Sequence, residues 1–361
     1  MAPGTYTDCH DDYEFWKAKR IVDSIPIYRA AHLLPYLRFL HNIGAPVERG
    51  LRHAKLPTML DDRSDGYLPQ LPSLAFVKEM SNSEGIDELG LRAVQRMRIT
   101  DFSERLVASL YRSPTLYAAL ESFRKLSHLE DPCILFLVSP GKRTVELSIS
   151  YRFPLDAQSQ RYEDWSNILT LLTIVRMFAG QTWYPNEIAL RSNVPLGRFA
   201  LEQFPNTQLL FGQKATEITV PRDLLSLPPR LKPTAADAIT ASKVTHENNP
   251  ESRLPDLADT LKKVLPAYLR DGYPSIDTAA EIAGTSVRTL QRRLKLSQMT
   301  YSELVQHTRF ATATQMLRDT DIKTLDIAYD LGYRDPSHFA RAFRRIAGVS
   351  PREYRSQHRL N

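Results

Sequence analysis

Two groups of polar side chains near the carboxyl end of the chain have the chemistry to bind a nucleic acid. One lies between residues 286 and 295, the other lies between residues 335 and 347, and both are rich in arginine. Arginine binds phosphate oxygens or hydrogen-bonds to guanine edges, and serine, threonine and glutamine hydrogen-bond to either target with less specificity. Such side chains act together only where a rigid element presents them on one face.

Helical spacing separates the inward from the outward side chains in both groups. Apolar residues recur at intervals of three and four, which predicts two amphipathic helices. The inward residues are Val287, Leu290 and Leu294 in the first helix and Phe339, Phe343 and Ile346 in the second. The outward and bordering residues, which are the candidate DNA contacts, are Arg288, Thr289, Gln291 and Arg292 in the first helix and Ser337, His338, Arg341, Arg344 and Arg345 in the second.

Each arginine-rich helix follows a shorter amphipathic helix and a glycine, Gly284 or Gly332. This order is typical of a helix-turn-helix, which here occurs twice, at about 276–295 and 324–347. A connecting helix is predicted at about 301–317, with a length of roughly 25 Å at about 1.5 Å per residue. Neighbouring packed helices extend this separation towards the distance of about 34 Å between recognition helices in successive major grooves. We therefore expect both helices to enter DNA.

The distribution of charge agrees with a nucleic-acid partner for the last third. From residue 254 onward 17 Lys and Arg face 12 Asp and Glu, a surplus of +5, which leaves +1 of the total of +6 for residues 1–253. The apolar runs are too short to span a bilayer, and the first residues lack the pattern of a signal peptide. Two cysteines suit a reducing compartment, so we predict a cytoplasmic protein without a membrane partner.

Upstream of the double motif, we predict an irregular tail at 1–25, a domain at 26–227 and a linker at 228–254 with a possible helix at 235–242. The domain is expected to be α+β, with helices followed by a small mixed sheet, and residues 255–361 are expected to be all-α. Within the domain, Asp101 is predicted to cap a helix at 102–111, and a helix is predicted at 164–178. The strands predicted at 208–211 and 217–220 are expected to pair with each other.

Other chemistries are weakly supported. Residues 140–144 superficially resemble a phosphate loop but fit a hairpin turn better. His128, Glu130, Asp131 and Cys133 lack the regular spacing of a metal site. No complete catalytic motif occurs, so no enzyme activity, metal or cofactor is predicted. Trp165, Trp183 and Tyr184 are interpreted as core residues rather than as the wall of a pocket.

The chain resembles the AraC/XylS family of bacterial transcription regulators over roughly residues 255–358. The residues that carry the resemblance are Ala328, Gly332, Tyr333, Ser337, His338, Phe339, Arg341, Phe343, the run 348–351, Tyr354 and Arg355, together with Arg309, Ala313 and Leu317 of the connecting helix. The resemblance implies DNA contacts by Arg288, Gln291, Arg292, Ser337, His338 and Arg341. Gln298 departs from the family, which has glycine there. Because glutamine disfavours positive φ, we expect a differently built turn.

Residues 26–227 resemble the arabinose-binding-type sensor domain of one branch of that family. The resemblance rests on the runs 113–116, 183–185 and 211–212 and on Leu224 and Leu225. It implies a small-molecule effector, double-stranded promoter DNA as a partner, RNA polymerase as a further partner of an activator, and a possible homodimer. Two alternatives stay open: a first domain that only dimerises or docks a protein, and an enzyme fused to a DNA-binding module.

Overall fold

The computed structural model describes residues 25–60, 66–151, 153–194, 197–230 and 256–358. The tail predicted at 1–25 lies outside these residues except for Ile25. The linker predicted at 228–254 is described only as far as Arg230, and the helix considered at 235–242 lies outside the described residues. Within the described part of the chain, no helix has the length and hydropathy needed to cross a membrane.

The first part of the chain consists of helices followed by a small sheet, whose strands are interrupted by two further helices. Its helices are α1 (Leu34–Asn42), α2 (Val47–His53), α3 (Gln70–Ser83), α4 (Leu89–Val94), α5 (Glu104–Arg112), α6 (Leu116–Leu126), α7 (Ala157–Ala179) and α8 (Arg198–Gln203). Its strands are β1 (Ile27–Arg29), β2 (Tyr67–Pro69), β3 (Ile134–Pro140), β4 (Thr144–Tyr151), β5 (Glu187–Ala189), β6 (Gln208–Leu210) and β7 (Thr216–Pro221).

The sheet order corrects the predicted pairing of the last two strands. The five-stranded sheet has the order β3-β4-β7-β5-β6. Strand β7 pairs antiparallel with β4 and β5, whereas β6 pairs with β5 in parallel. Alternate residues of β7, from Thr216 to Val220, are fully buried, which suits a central strand. Strand β6 has no fully buried residue, which suits an edge. The predicted β6–β7 pair is therefore wrong.

Two helix starts also differ from the prediction. Asp101 does not cap α5; its carboxylate accepts a hydrogen bond from the backbone N–H of Arg98 at 2.8 Å, and the helix begins only at Glu104. The helix predicted at 164–178 begins at Ala157, where Asp156 accepts hydrogen bonds from two backbone N–H groups. The two polar turns before residue 164 hid this start, because they lack an apolar stripe. Helix α7 is buried along most of its length and packs on α4 and β7.

Strands β1 and β2 form an antiparallel pair that the sequence did not predict. Each has three residues, and some forty residues separate them. Alternation cannot be recognised over three residues, and the pair is held by tertiary contacts rather than by a hairpin turn. This small pair lies against the helices of the last third.

The last third is all-α and has two hydrophobic cores. Its helices are α9 (Leu257–Tyr268), α10 (Ile276–Ile282), α11 (Val287–Leu296), α12 (Tyr301–Asp319), α13 (Thr324–Asp330), α14 (Pro336–Ala347) and α15 (Pro351–His358). Helix α12 contributes Leu304 and Val305 to the first core and Ala313 and Leu317 to the second. The predicted fold class, α+β followed by an all-α domain with two helix-turn-helix motifs, is confirmed.

Candidate nucleic-acid interface

The first recognition helix, α11, is held in its rotation by its apolar stripe. Leu290 and Leu294 are fully buried in the first core of the last third. Ser286 caps the helix, because its hydroxyl accepts a hydrogen bond from the backbone N–H of Thr289 at 3.2 Å. Ser286 also donates to the Thr289 hydroxyl at 3.1 Å, so Thr289 is half-buried within the cap. Arg288, Gln291 and Arg292 are exposed on the opposite face.

The exit of α11 is built on a left-handed residue despite the absence of glycine. Gln298 has a φ of +53°. The N–H of Gln298 donates to the carbonyl of Lys295 at 3.0 Å, and the N–H of Met299 donates to that of Leu294 at 3.0 Å. This closure is the usual one for a left-handed residue after a helix. The expectation of a differently built turn is therefore wrong, and Gln298 bears the strain that glycine would avoid.

The second recognition helix, α14, has caps at both ends. Asp335 accepts a hydrogen bond from the N–H of Ser337 at 2.8 Å, and Pro336 occupies the first turn. Gly348, with a φ of +76°, ends the helix. Phe339 and Phe343 are buried as predicted. Helix α14 is thereby fixed along its first two turns and at its exit.

Ile346, however, is 45% exposed, so its predicted place in the inward stripe is wrong. It lies on the rim of a small surface cleft that Phe310 also lines. The side of the core near the helix end is closed instead by Tyr354 of α15, whose ring packs edge-on against Phe343 at 5.4 Å.

The outward side chains of α14 are accessible. Ser337, His338, Arg341, Arg344 and Arg345 are all exposed. His338 Nε2 lies 3.7 Å from Asp335, and Arg345 donates to the Gln306 side-chain oxygen at 3.4 Å. Within the residues that the structure describes, Arg288, Arg292, Arg341 and Arg344 have no ion-pair or hydrogen-bond partner. Four guanidinium groups on two capped helices are thus available to a polyanion.

Arg309 on the connecting helix joins the two halves of the double motif. Its Nε donates to the carbonyl of Leu331 at 2.9 Å, and its Nη2 donates to that of Gly332 at 3.2 Å. Its guanidinium carbon lies 4.5 Å from the ring centroids of both Tyr273 and Tyr333. Tyr273 follows α9 and Tyr333 opens the turn before α14, so the clamp fixes one half against the other. The sequence suggested Arg309 and Tyr333 only as positions that resemble the family, and Tyr273 carried no recognisable pattern.

The turn of the second motif allows no side chain at its glycine. Gly332 has a φ of +73°, and a Cβ atom there would lie 2.4 Å from the carbonyl oxygen of Leu269. The matching Gly284 of the first motif has a φ of +59° but open space around it. The second turn therefore packs directly on the chain that follows α9, next to the Arg309 clamp.

The first domain contains a cavity of about 50 Å³, enough for several water molecules. It lies among β1, α3, α7 and strand β4, and its wall includes Tyr28, Tyr36, Tyr151, Glu163 and Asn167. It was not predicted, because its residues come from separate elements that no short motif unites.

The aromatic residues considered for a pocket lie elsewhere. Trp165 is buried and stacks on Phe204 at 5.6 Å, as the interpretation of a core residue requires. Trp183 is partly buried against the same core. Tyr184 is 46% exposed, so that interpretation is wrong for it.

Two buried carboxyl groups of the cavity wall have opposite electrostatic environments. Burial alone would raise the pKa of Glu130. The contacts with His32 at 3.1 Å and Arg29 at 3.2 Å and the N–H of Ser103 at 2.8 Å outweigh burial and hold the pKa at about 2. For Glu163 burial prevails and raises the pKa, although Tyr151 and Gln70 donate hydrogen bonds to it at 2.5 and 3.0 Å.

Residues that the sequence analysis considered for a metal site have structural roles instead. Glu130 is bound as above, and Asp131 accepts from the backbone N–H of Cys133 at 2.7 Å. Across the described ranges no group of His, Cys, Asp and Glu has the arrangement of a metal site. Residues 140–144 form the hairpin turn between β3 and β4, in which Gly141 donates to Thr144 at 2.9 Å.

Strand β1 connects the cavity with the DNA-binding helices. Ile27 is buried in the first core of the last third, Tyr28 lines the cavity, and Arg29 pairs with Glu130. Additional contacts between the two parts come from Tyr268, whose hydroxyl donates to the carbonyl of Lys55 at 3.0 Å, and from the ion pair of Lys55 with Glu281.

A sensor-like α+β domain followed by two helix-turn-helix motifs defines a DNA-binding regulator. Residues 279–357 match the family model of a helix-turn-helix domain. Residues 44–229, more than half of the chain, match that of the arabinose-binding domain of AraC transcription regulators. The chain therefore belongs to the AraC family of transcription regulators.

The chain is also similar to several named transcription regulators. The transcriptional regulator VirS of Mycobacterium tuberculosis is 22% identical over 344 residues, which are 91% of this chain and 96% of VirS. The transcriptional activator RhaS of an Enterobacter species is 39% identical over 95 residues, 25% of this chain and only 34% of RhaS. The crystal structure of the regulator CdpR from Pseudomonas aeruginosa is 21% identical and covers 86% of this chain and 96% of CdpR, with a TM-score of 0.38.

Proposed function

We propose that this chain is a sequence-specific transcription activator whose first domain senses a small molecule. The observation that carries the DNA-binding part is the pair of capped recognition helices with four unpartnered, exposed arginines among the described residues. The name of the activator RhaS, which is similar to the last third, supports activation. We place the activity in the bacterial cytoplasm, with RNA polymerase as a partner and without enzymatic turnover.

In the proposed complex, α11 and α14 enter successive major grooves on one face of double-stranded DNA. The contacts are those predicted from the sequence: Arg288, Thr289, Gln291, Arg292, Ser337, His338, Arg341, Arg344 and Arg345. Thr289 accepts a hydrogen bond from Ser286, so its hydroxyl keeps its own proton to donate to a phosphate or a base. The arginines supply both phosphate binding and guanine recognition, and phosphate binding makes the affinity strongly dependent on salt.

The sensing part rests on the cavity and on strand β1. A ligand affects DNA binding only if it has different affinities for two arrangements of the protein. Tyr28 and Ile27 belong to the same three-residue strand, so a ligand that moves Tyr28 also displaces a buried residue of the DNA-binding half. A cavity with polar walls favours this function over a first domain that only dimerises. A homodimer on a two-fold operator remains compatible with it.

Selection from a random DNA library tests the DNA-binding part on the full chain. The enriched sequences should contain two boxes whose centres are about 10.5 base pairs apart, one helical turn. No enrichment above random DNA at low salt would refute sequence-specific binding. The selected site, placed upstream of a core promoter with a reporter gene, should raise transcription in cells that contain the protein. A fall in transcription would assign repression instead.

A further inference from the structure

The cavity of the first domain has an acidic wall. Glu130, Asp131 and Glu163 line it, whereas His32 is the one basic side chain among the described residues of the lining. Glu130 is already paired with Arg29 and hydrogen-bonded to His32. Glu163 has no such partner: its two hydrogen-bond donors, Tyr151 and Gln70, are both neutral. An anionic ligand would therefore meet carboxyl groups without a compensating lysine or arginine on this wall.

A second, independent feature marks the cavity as a ligand site. Asn167 is 6% exposed and lines the cavity, and its side-chain nitrogen has no hydrogen-bond partner in the described part of the chain. A buried donor without a partner is costly, so each one needs an explanation, and at the wall of a cavity a bound ligand supplies it. The oxygen of the same amide lies 3.3 Å from the Tyr151 hydroxyl, whose single proton goes to Glu163 at 2.5 Å, and the nitrogen is left to donate to an incoming acceptor.

The remaining wall combines aromatic rings with short apolar side chains. Tyr28, Tyr36 and Tyr151 carry rings that attract cations by their electron-rich faces, and Phe102 and Phe123 add apolar surface. Aromatic rings around an unneutralised carboxyl group are the environment that proteins use to hold ammonium groups. The volume of about 50 Å³ restricts the occupant to a small molecule.

We propose that this cavity binds a small organic cation, a protonated amine that also carries a hydroxyl or carbonyl oxygen. The ammonium group is held by the Glu163 carboxylate among the tyrosine rings, and the oxygen accepts a hydrogen bond from the Asn167 nitrogen. The proposal that this cation is the effector rests on the sensing function proposed above. The proposal that the cavity binds it does not.

A matched series of two-carbon probes, small enough for the cavity, tests the charge preference on the whole chain. The probes are 2-aminoethanol, ethane-1,2-diol and hydroxyacetate, which differ only in one terminal group. Binding is measured by calorimetry and by the shift in unfolding temperature at up to tens of millimolar probe. We expect 2-aminoethanol to bind and to raise the unfolding temperature, and the diol and hydroxyacetate to bind at least tenfold more weakly.

Variants locate the binding in the cavity. Glu163→Gln keeps the shape of the side chain and should weaken binding of the amine at least tenfold. Asn167→Leu should weaken it by a smaller factor, and Glu202→Gln, an exposed glutamate in α8, should leave it unchanged. Circular dichroism of each empty variant establishes that it is folded before binding is measured.

Several outcomes would overturn the proposal: binding of the diol or of hydroxyacetate as tight as that of the amine, no effect of the amine, or unchanged amine binding in Glu163→Gln. The selection of DNA by the same protein is scored separately. Enriched DNA without amine binding rejects the cation site and leaves DNA regulation intact. Amine binding without enriched DNA rejects the regulator and leaves the site.

Discussion

Ile27 and Tyr28 are neighbours in strand β1, yet Ile27 lies in the core of the DNA-binding half and Tyr28 lines the cavity of the first domain. Side chains of successive strand residues point to opposite faces, so this short strand separates two different environments. A shift of the strand is transmitted to both. The coupling between ligand and DNA in this protein is therefore expected to depend on the packing of one isoleucine.

Replacement of Ile27 by alanine tests whether its packing couples the cavity to the DNA-binding helices. Ile27 is 1% exposed, and removal of such a buried side chain costs about 2–5 kcal/mol. Chemical unfolding of the full chain should show this loss, and the response of DNA affinity to a bound ligand should diminish. Ile43→Ala, at a position 49% exposed, is the control and should change stability by no more than about 0.5 kcal/mol. Equal stabilities of the two variants would contradict the described packing.

Replacement of Arg292 or Arg341 by alanine should weaken binding to the selected DNA by about 1–3 kcal/mol if the arginine reads a base. The preference at one base position should relax at the same time. An arginine that only contacts phosphate should lose affinity equally for selected and random DNA, with a salt slope lower by about 1. Fluorescence anisotropy over a range of salt concentrations measures both. Arg198→Ala, at an exposed position of α8 in the first domain, should leave the DNA affinity unchanged.

Gly284 and Gly332 provide a matched pair of substitutions. Both have positive φ, so alanine at either position should cost about 1–2 kcal/mol in backbone strain. At Gly332 the added Cβ would also lie 2.4 Å from the Leu269 carbonyl oxygen, whereas at Gly284 it would meet open space. Unfolding measurements should therefore rank Gly332→Ala well below Gly284→Ala in stability. The opposite order would show that the second turn is not packed on the chain after α9.

Gln298→Gly should stabilise the protein, although most substitutions by glycine destabilise. The left-handed conformation of Gln298, with φ at +53°, costs about 1–2 kcal/mol, and glycine avoids this cost. The greater freedom of glycine in the unfolded chain takes back about 0.4–1 kcal/mol. The expected net gain is about 1 kcal/mol, measured by denaturant unfolding. Gln298→Ala keeps the strain and serves as the control, with no gain expected.

Glu130 makes a contribution to stability that depends on pH. Its pKa in the folded protein is about 2, below its ordinary value of 4.5. A lowered pKa means that the stabilisation is complete above the ordinary value and is lost as pH falls towards 2. Glu130→Gln should thus cost about 3 kcal/mol at pH 7, and the difference from wild type should shrink between about pH 5 and pH 2. Glu104→Gln, an exposed control, should show no such dependence. A difference that stays constant with pH would contradict the contacts with Arg29 and His32.

The second helix-turn-helix could be predicted almost completely because its information is local. Asp335, Pro336 and Gly348 determine where α14 begins and ends, and Phe339 and Phe343 determine its rotation. The prediction failed at Ile346, because Tyr354 from a later helix takes its place against Phe343, and no periodicity shows such a replacement. Strand β1 and the cavity depend wholly on contacts between distant parts of the chain, which a single sequence does not reveal.

The Arg309 clamp has a consequence for promoters. The guanidinium group between Tyr273 and Tyr333 holds the two helices proposed to contact DNA at a fixed distance rather than on a hinge. An extra base pair between the two boxes of a binding site rotates one box by about 34° around the DNA axis, since about 10.5 base pairs make one turn. Two helices held in a fixed arrangement cannot follow that rotation. We therefore expect the proposed binding sites to tolerate exchanges of bases in the spacer but not gains or losses of base pairs.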